Sequence, residues 1–358
     1  MQITRIRWID ASRGLAIVGV VLLHASHWLA AVGVHSTAAE WVIARLVVPL
    51  PVLFLVSGVV ARRSLDDPAA FRRRLTTLAW LFVLWQPVVL GYRVLGDAAL
   101  GRDVDIAGEL LRTVVAPIRP NGELWYLWAL AIHLLVARWT RHLPTVPVVA
   151  AAAVLFVGWG GFGSVLLGDV AWHVLGPGLQ GLPQFLLFTL VGARMSPRTL
   201  DRIRTASPIT AGLWVAVWLA VGEAAWRTPL ALQPLFGPVQ IAVGTIATIL
   251  LARQLAGRRW SGWLDALGRR SLAPYLGHTA VIVAMMAGAV AAGATSMLRA
   301  TPEIALLGAV ALGTVVPLLF ERTCRTAPTR VLFAAPTSLL DRAGDGSDGI
   351  RQDSKRAR

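Results

Sequence analysis

The chain is poor in the residues that would place it among disulfide-bonded or metal-binding soluble proteins. Its single cysteine, Cys324, excludes an intramolecular disulfide and a cysteine-rich metal site. The seven histidines show no metal-site spacing of the H-E-x-x-H kind. Only 15% of the residues are charged, far fewer than a soluble protein of 358 residues needs to cover its surface. The N-terminus lacks a small-residue cleavage site, so we expect the first hydrophobic stretch to remain as a membrane helix.

Long hydrophobic stretches dominate the rest of the chain. Hydrophobic residues make up 56% of it, and the mean hydropathy is +0.64. The sequence therefore predicts an all-α integral membrane protein with about ten transmembrane helices. The predicted spans lie at roughly 14–34, 41–61, 75–95, 124–138, 144–163, 180–194, 207–226, 234–252, 272–294 and 303–321. Between them we expect an interfacial helix at about 104–115 and an irregular segment at about 164–179.

The basic residues are distributed unevenly between the two sides of these spans. If the N-terminus is cytoplasmic, 27 of the 34 Lys and Arg residues fall on the inner side and 7 on the outer side. The net charge of +15 therefore records orientation and requires no nucleic-acid partner. We expect a cytoplasmic N-terminus at 1–13, a transmembrane domain at 14–321 and a cytoplasmic tail at 322–358, disordered from about 341.

The first span begins and ends with an ionisable residue, in "RGLAIVGVVLLH" from Arg13 to His24. Eleven helical steps rise about 16 Å and turn about three times, so the two side chains share one face. His24 then lies near the middle of the membrane, where ionisable groups are rare and tend to be functional. The alternative is a neutral imidazole that hydrogen-bonds between packed helices. Asp10, one turn before Arg13, could brace its guanidinium.

Five motifs in order resemble transmembrane acyltransferase family 3, in particular its sugar O-acetylase-like branch. The resemblance covers about residues 5–322, and "WIDASRGLAIVGVVLLH" carries the family's Arg-x10-His signature. The other four motifs are "PLPVLFLVSGVV", "FRRRL", "ELWYLWAL" and "GRRSLAPYLGH". Many family members have a glutamate shortly after the tryptophan of the fourth helix, whereas here Glu123 precedes Trp125.

The resemblance implies an acetyl-CoA or other acyl-CoA donor and no metal. It makes His24 a general base or an acyl carrier, with Arg13 on the donor at the same helix face. Arg72, Arg73 and Arg74 could bind CoA phosphates or simply set the topology, and His278 could contact CoA or make a structural hydrogen bond. The remaining candidates, expected to bind substrate or to pack between helices, are Ser57, Trp125, Tyr126 and Tyr275.

The function predicted on this basis is an integral-membrane O-acyltransferase. It would move an acyl group, expected to be acetyl, from cytoplasmic acyl-CoA to a hydroxyl of a glycan, glycolipid or polyol at the cell envelope. We expect it in the plasma membrane, in bacteria the cytoplasmic membrane, in contact with membrane lipid. One alternative is a proton-coupled transporter or exporter using His24. It would need a polar path across the whole membrane, and on the outer side of His24 only Glu223 could contribute to such a path. The other alternative is a structural subunit, which leaves Arg13 and His24 unexplained. Oligomeric state and acceptor stay open.

Overall fold

The computed structural model describes residues 6–46, 48–229, 232–326 and 328–345. Within these ranges the chain is 84% helical and has no strand, which confirms the predicted all-α membrane fold. Helices suit a bilayer because they satisfy every backbone hydrogen bond within one segment.

Helices follow one another along the described residues with short connections. They are α1 (Arg7–Ala30), α2 (Thr37–Leu46), α3 (Pro49–Asp66), α4 (Pro68–Leu84), α5 (Gln86–Ala99), α6 (Ile106–Val114), α7 (Trp125–Trp139), α8 (Thr145–Leu167), α9 (Asp169–Arg194), α10 (Pro197–Thr205), α11 (Pro208–Arg227), α12 (Gln233–Leu255), α13 (Gly262–Arg269), α14 (Leu272–Ala291), α15 (Thr295–Ala300), α16 (Pro302–Thr323) and α17 (Thr337–Asp345). Helix α6 corresponds to the predicted interfacial helix. The segment expected to be irregular is mostly helical, with a break at Gly176 (φ 71°) inside α9.

Eight helical stretches among the described residues are long and apolar enough to cross a membrane, counting α4 and α5 as one. Helices α2 and α3 meet at 47° and would form a ninth span, broken just before Pro49. The remaining predicted span, the fourth at about 124–138, corresponds to α7, which has only 15 residues. Ten crossings and the inside-outside orientation therefore stay predictions.

Helix α1 begins earlier than the sequence analysis places its membrane span, at Arg7. Its first two turns are ordered by α13, which packs closely across them. A Cβ added at Gly14 would lie 2.3 Å from the Leu264 carbonyl oxygen, and one added at Gly268 would lie 1.7 Å from the Asp10 carbonyl oxygen. Only glycine permits this approach of two backbones. Arg13 is therefore well inside the helix.

Helices α3 and α9 also pack closely through glycines at their crossing point. A Cβ on Gly58 would lie 2.2 Å from the Thr189 carbonyl oxygen, and one on Gly192 would lie 2.0 Å from the Leu55 carbonyl oxygen. Small residues that let backbones approach are typical of helix packing in membranes. The Ser-Gly pair of the second predicted span therefore has a packing role through its glycine, which fixes how α3 lies against the helices around the site.

The C-terminal segment packs back onto α4. The indole of Trp80 donates to the Val331 carbonyl oxygen at 2.8 Å, and Arg72 Nε donates to the Ala343 carbonyl oxygen at 2.6 Å. Residues 341–345, part of the tail expected to be disordered, continue helix α17. Residues 346–358 lie outside the described ranges.

Candidate active site

Three ionisable side chains from distant parts of the chain meet inside the helix bundle. They are His24 of α1, Glu123 of the 3-10 turn before α7, and His278 of α14. His24 Nδ1 lies 3.5 Å from Glu123 Oε1, and the rings of His24 and His278 pack edge to face with centroids 5.0 Å apart. We call these three residues the His-Glu-His cluster. The structure thus brings the predicted His24 and His278 together.

Glu123 is the site residue that the sequence analysis missed. It sits in a turn that Gly122 enters with a positive φ of 52°, at the end of the loop "RPNGELW". Tyr92 donates its hydroxyl to Glu123 Oε2 at 2.6 Å, and Tyr275 donates to the Glu123 carbonyl oxygen. Two tyrosines from α5 and α14 therefore fix both the carboxylate and the backbone of this residue. The available signal was a carboxylate two residues before the tryptophan of the Trp-aromatic-Leu motif.

His278 is fully buried and held in one tautomer. Its Nδ1 lies 2.8 Å from the Pro274 carbonyl oxygen and 3.0 Å from that of Tyr275. Carbonyl oxygens can only accept, so Nδ1 carries the proton and Nε2 is left as an acceptor. Nε2 is buried and has no hydrogen-bond partner within the described part of the chain. His278 therefore presents a second imidazole nitrogen with its lone pair to the cluster.

Two imidazoles and a carboxylate are also a donor set used for zinc. The potential ligand atoms of the cluster lie within 4.8 Å of one another. A tetrahedral ion at about 2.1 Å from each ligand needs donor atoms about 3.4 Å apart, so the widest spacing here exceeds that of a formed site. Glu123 Oε2 is in addition already an acceptor for Tyr92. The expectation of no metal stays a prediction.

The His24–Glu123 pair has the geometry of a base held by a carboxylate. With Nδ1 facing the carboxylate, the proton belongs on Nδ1 and the lone pair on Nε2. The 3.5 Å separation is looser than a hydrogen bond, as is common in catalytic pairs before substrate binds. The side chain of His24 is 29% exposed and that of Glu123 is 12% exposed, so the imidazole is the more accessible member.

The three consecutive arginines predicted to bind CoA, Arg72 to Arg74, lie in three different environments. Arg74 is half-buried and lies near Arg13, and both act electrostatically on the Tyr126 hydroxyl. Arg73 is exposed, and Arg72 bonds to the C-terminal helix. Of the three, Arg74 is therefore the residue that shares the Arg13 side of the site.

The predicted substrate residues Ser57, Tyr126 and Tyr275 contact one another beside the cluster. The hydroxyls of Ser57 and Tyr126 are 2.9 Å apart, and the Tyr126 and Tyr275 rings pack edge to face at 5.3 Å. This matches the interhelical hydrogen bonding weighed for Ser57. Trp125 is 8% exposed and stacks on Phe185 with ring centroids 6.0 Å apart, so it lies in the aromatic core beside the site. Its role in binding an acceptor stays a prediction.

One histidine outside the predicted site lies in the core of the bundle. His133 is 1% exposed, its Nδ1 lies 3.0 Å from Thr189 Oγ1, and its Nε2 lies 2.7 Å from the Leu182 carbonyl oxygen. Both ring nitrogens are satisfied by other helices. His133 is therefore a packing histidine, which hydropathy alone cannot distinguish from a peripheral one.

The fold and this site define a helical, multi-pass membrane protein with a partly buried histidine–carboxylate pair. The family model for acyltransferase family 3, described as an acyltransferase domain, matches residues 6–322. The chain belongs to this family and is a membrane acyltransferase. No curated protein and no solved structure matches it.

Proposed function

We propose that the protein transfers an acetyl group from cytoplasmic acetyl-CoA to a hydroxyl of a glycan, glycolipid or polyol at the cell envelope, with His24 at the reacting centre. The observation that carries this proposal is the His24–Glu123 pair, at 3.5 Å, in a membrane acyltransferase. With Nδ1 facing the carboxylate, Nε2 of His24 keeps its lone pair, which a general base in acyl transfer to a hydroxyl requires.

In the direct route, His24 Nε2 takes the proton of the acceptor hydroxyl as that oxygen attacks the thioester carbonyl. The carbon–sulfur bond then breaks, and the departing CoA sulfur takes the proton from the imidazolium. Glu123 stabilises the imidazolium while it exists. In the second route, Nε2 itself attacks the thioester, and the carbon–sulfur bond breaks to release the CoA thiolate. The acceptor hydroxyl then attacks the acyl-histidine, which frees the imidazole, and the hydroxyl proton passes to the thiolate.

The donor would enter from the side of Arg13. Guanidinium groups bind phosphate oxygens in two-point contacts, and Arg13 and Arg74 interact electrostatically with each other and with Tyr126. The pantetheine arm would then span the roughly 16 Å that separate Arg13 from His24 along α1. Arg72 has a different place in this proposal, because its guanidinium holds the C-terminal helix. His278 would face the reacting end of the donor through its unpaired Nε2.

The proposed acceptor class and the bacterial cytoplasmic membrane rest on the resemblance to the sugar O-acetylase-like branch. Glycans, glycolipids and polyols share an exposed hydroxyl that the direct route can deprotonate. The excess of basic residues predicted on the inner side supports entry of acetyl-CoA from the cytoplasm.

The experiment that tests this function compares His24→Gln with His27→Gln, an exposed histidine one turn away on the same helix. Purified protein is incubated with labelled acetyl-CoA and a panel of glycans, glycolipids and polyols. Glutamine keeps hydrogen-bonding groups but cannot take up a proton, so His24→Gln should bind acetyl-CoA and lose at least about 10²-fold in transfer. His27→Gln should behave as wild type. Near-normal transfer by His24→Gln, or no acetyl-CoA binding by wild type, would overturn the proposal.

A further inference from the structure

A strongly basic cleft lies at the start of α1, on the predicted cytoplasmic side. It has a volume of about 460 Å³, and α1, the turn before α13 and α13 itself form its walls. Four arginines and two aspartates line it: Arg7, Arg258, Arg259, Arg269, Asp10 and Asp265. All four arginines are exposed. We call this site the α13 cleft, and none of the roles argued above uses it.

The charge of the cleft favours an anionic ligand. Four guanidinium groups against two carboxylates leave a net charge of +2, so the lining is not self-neutralised. Guanidinium groups prefer phosphate oxygens, which they bind in two-point contacts. The ligand expected from this lining carries at least one phosphate group.

The carboxylate of Asp265, in the same cleft, indicates that the ligand also carries a hydrogen-bond donor. Asp265 Oδ2 accepts from the Gly257 backbone N–H at 3.1 Å. Its Oδ1 is buried and has no hydrogen-bond partner within the described ranges. Buried polar atoms are normally paired, so a hydroxyl or amino group of a ligand would satisfy it. A phosphate together with hydroxyl and amino groups is the chemistry of a nucleotide.

Along the axis of α1, the cleft lies beyond Arg13 as seen from the cluster. Arg7 precedes His24 by seventeen residues, which is about 25 Å along α1, and Arg13 lies between them at about 16 Å. An extended donor whose thioester reaches His24 and whose diphosphate passes Arg13 would place its nucleoside end near the start of α1. The close packing of Gly14 and Gly268 fixes α13 at that level.

We propose that the α13 cleft binds the phosphorylated nucleoside of the acyl-CoA donor, with its arginines on the 3′-phosphate and Asp265 Oδ1 on a hydroxyl or amino group. This inference rests on the proposed function. It adds a second contact region to the donor site, separate from Arg13 and Arg74, and gives the protein a means to distinguish CoA from shorter thioesters.

The test measures binding of acetyl-CoA and of 3′-dephospho-acetyl-CoA to the full-length protein in uncharged-lipid nanodiscs. Wild type should bind acetyl-CoA at least about tenfold more tightly, the effect of one charge-assisted contact. The Arg258→Ala/Arg259→Ala variant should lose most of that preference. The control Arg198→Ala/Arg202→Ala removes two exposed arginines of α10 and should keep it.

Three outcomes would overturn the inference. Wild type could bind both compounds equally, or the cleft variant could retain the full preference. In nanodiscs that contain phosphatidylglycerol, the cleft variant could instead retain less of this lipid while its preference for acetyl-CoA is unchanged. That result would assign the arginines to a lipid headgroup. In each case acetyl-CoA still binds, whereas failure of the proposed function would appear as no binding of either compound or as full activity in His24→Gln.

Discussion

Replacing Glu123 by glutamine tests the proposed mechanism more sharply than replacing the proposed base, His24. The change keeps the shape of the side chain and its acceptor for Tyr92, but it removes the negative charge 3.5 Å from His24 Nδ1. At an effective dielectric constant of about 20, that charge stabilises an imidazolium by about 5 kcal/mol. Because the His24 side chain is 29% exposed, solvent screening reduces this figure; half of it still corresponds to a loss of about 10²-fold in rate.

The assay is acetyl transfer at saturating donor, with acetyl-CoA affinity and thermal melting measured on the same preparation. Glu123→Gln should lower kcat by about 10²-fold and leave donor affinity within about twofold, since the carboxylate lies at the cluster and not at Arg13. The double variant with His24→Gln should be no slower than His24→Gln alone, because residues that act as a unit are not additive.

A second histidine–glutamate pair provides the control. His35 Nδ1 lies 3.2 Å from Glu40 Oε1, and both side chains are more than half exposed. Glu40→Gln makes the same chemical change outside the site and should retain wild-type kcat. The reasoning would be refuted if a folded Glu123→Gln variant kept more than about a third of wild-type kcat, or if its loss added to that of His24→Gln.

Three further outcomes follow from the structure. Arg74→Ala should weaken acetyl-CoA binding by about tenfold or more. Arg72→Ala should leave that binding unchanged, but limited proteolysis should show that its C-terminal helix is more readily cleaved. Gly58→Ala should destabilise the protein by about 1–3 kcal/mol in thermal or chemical unfolding, because its Cβ would meet backbone, while Gly288→Ala, with open space around it, should not. A cysteine at exposed Arg198, in a background without the native cysteine, should react with impermeant reagent only from the cytoplasmic side, and labelling from outside would contradict the topology.

Hydropathy and charge were enough to predict the fold class because the bilayer restricts the chain to helices. They could not predict where those helices break. The second span divides just before Pro49, and α1 starts at Arg7 since α13 packs across its first turns. Both features depend on which backbones touch, and that information is absent from a one-dimensional pattern.

The site was predicted in part for a similar reason. Arg13 and His24 belong to one helix, so their shared face follows from helical geometry. Glu123 lies 99 residues from His24 in the chain, and only the tertiary fold brings its carboxylate to the imidazole. The run Arg72 to Arg74 looks uniform in sequence, yet consecutive helical positions differ by about 100° and face three different surroundings.

The two internal histidines His24 and His133 differ in ways that support the proposed role of His24. His133 has the properties of a packing residue, with 1% exposure and a partner for each ring nitrogen. His24 has a 29% exposed side chain, a carboxylate on one nitrogen, and no hydrogen bond to the other within the described residues. Placing the carboxylate of Glu123 inside the bundle costs desolvation free energy. A histidine that only joins helices can bond to neutral groups, as His133 does, and needs no such carboxylate. The bundle retains this carboxylate beside an accessible imidazole, and Tyr92 holds it there. This arrangement lowers the stability of the fold but leaves Nε2 of His24 without a partner among the described residues. It is the arrangement expected if Nε2 has to accept a proton.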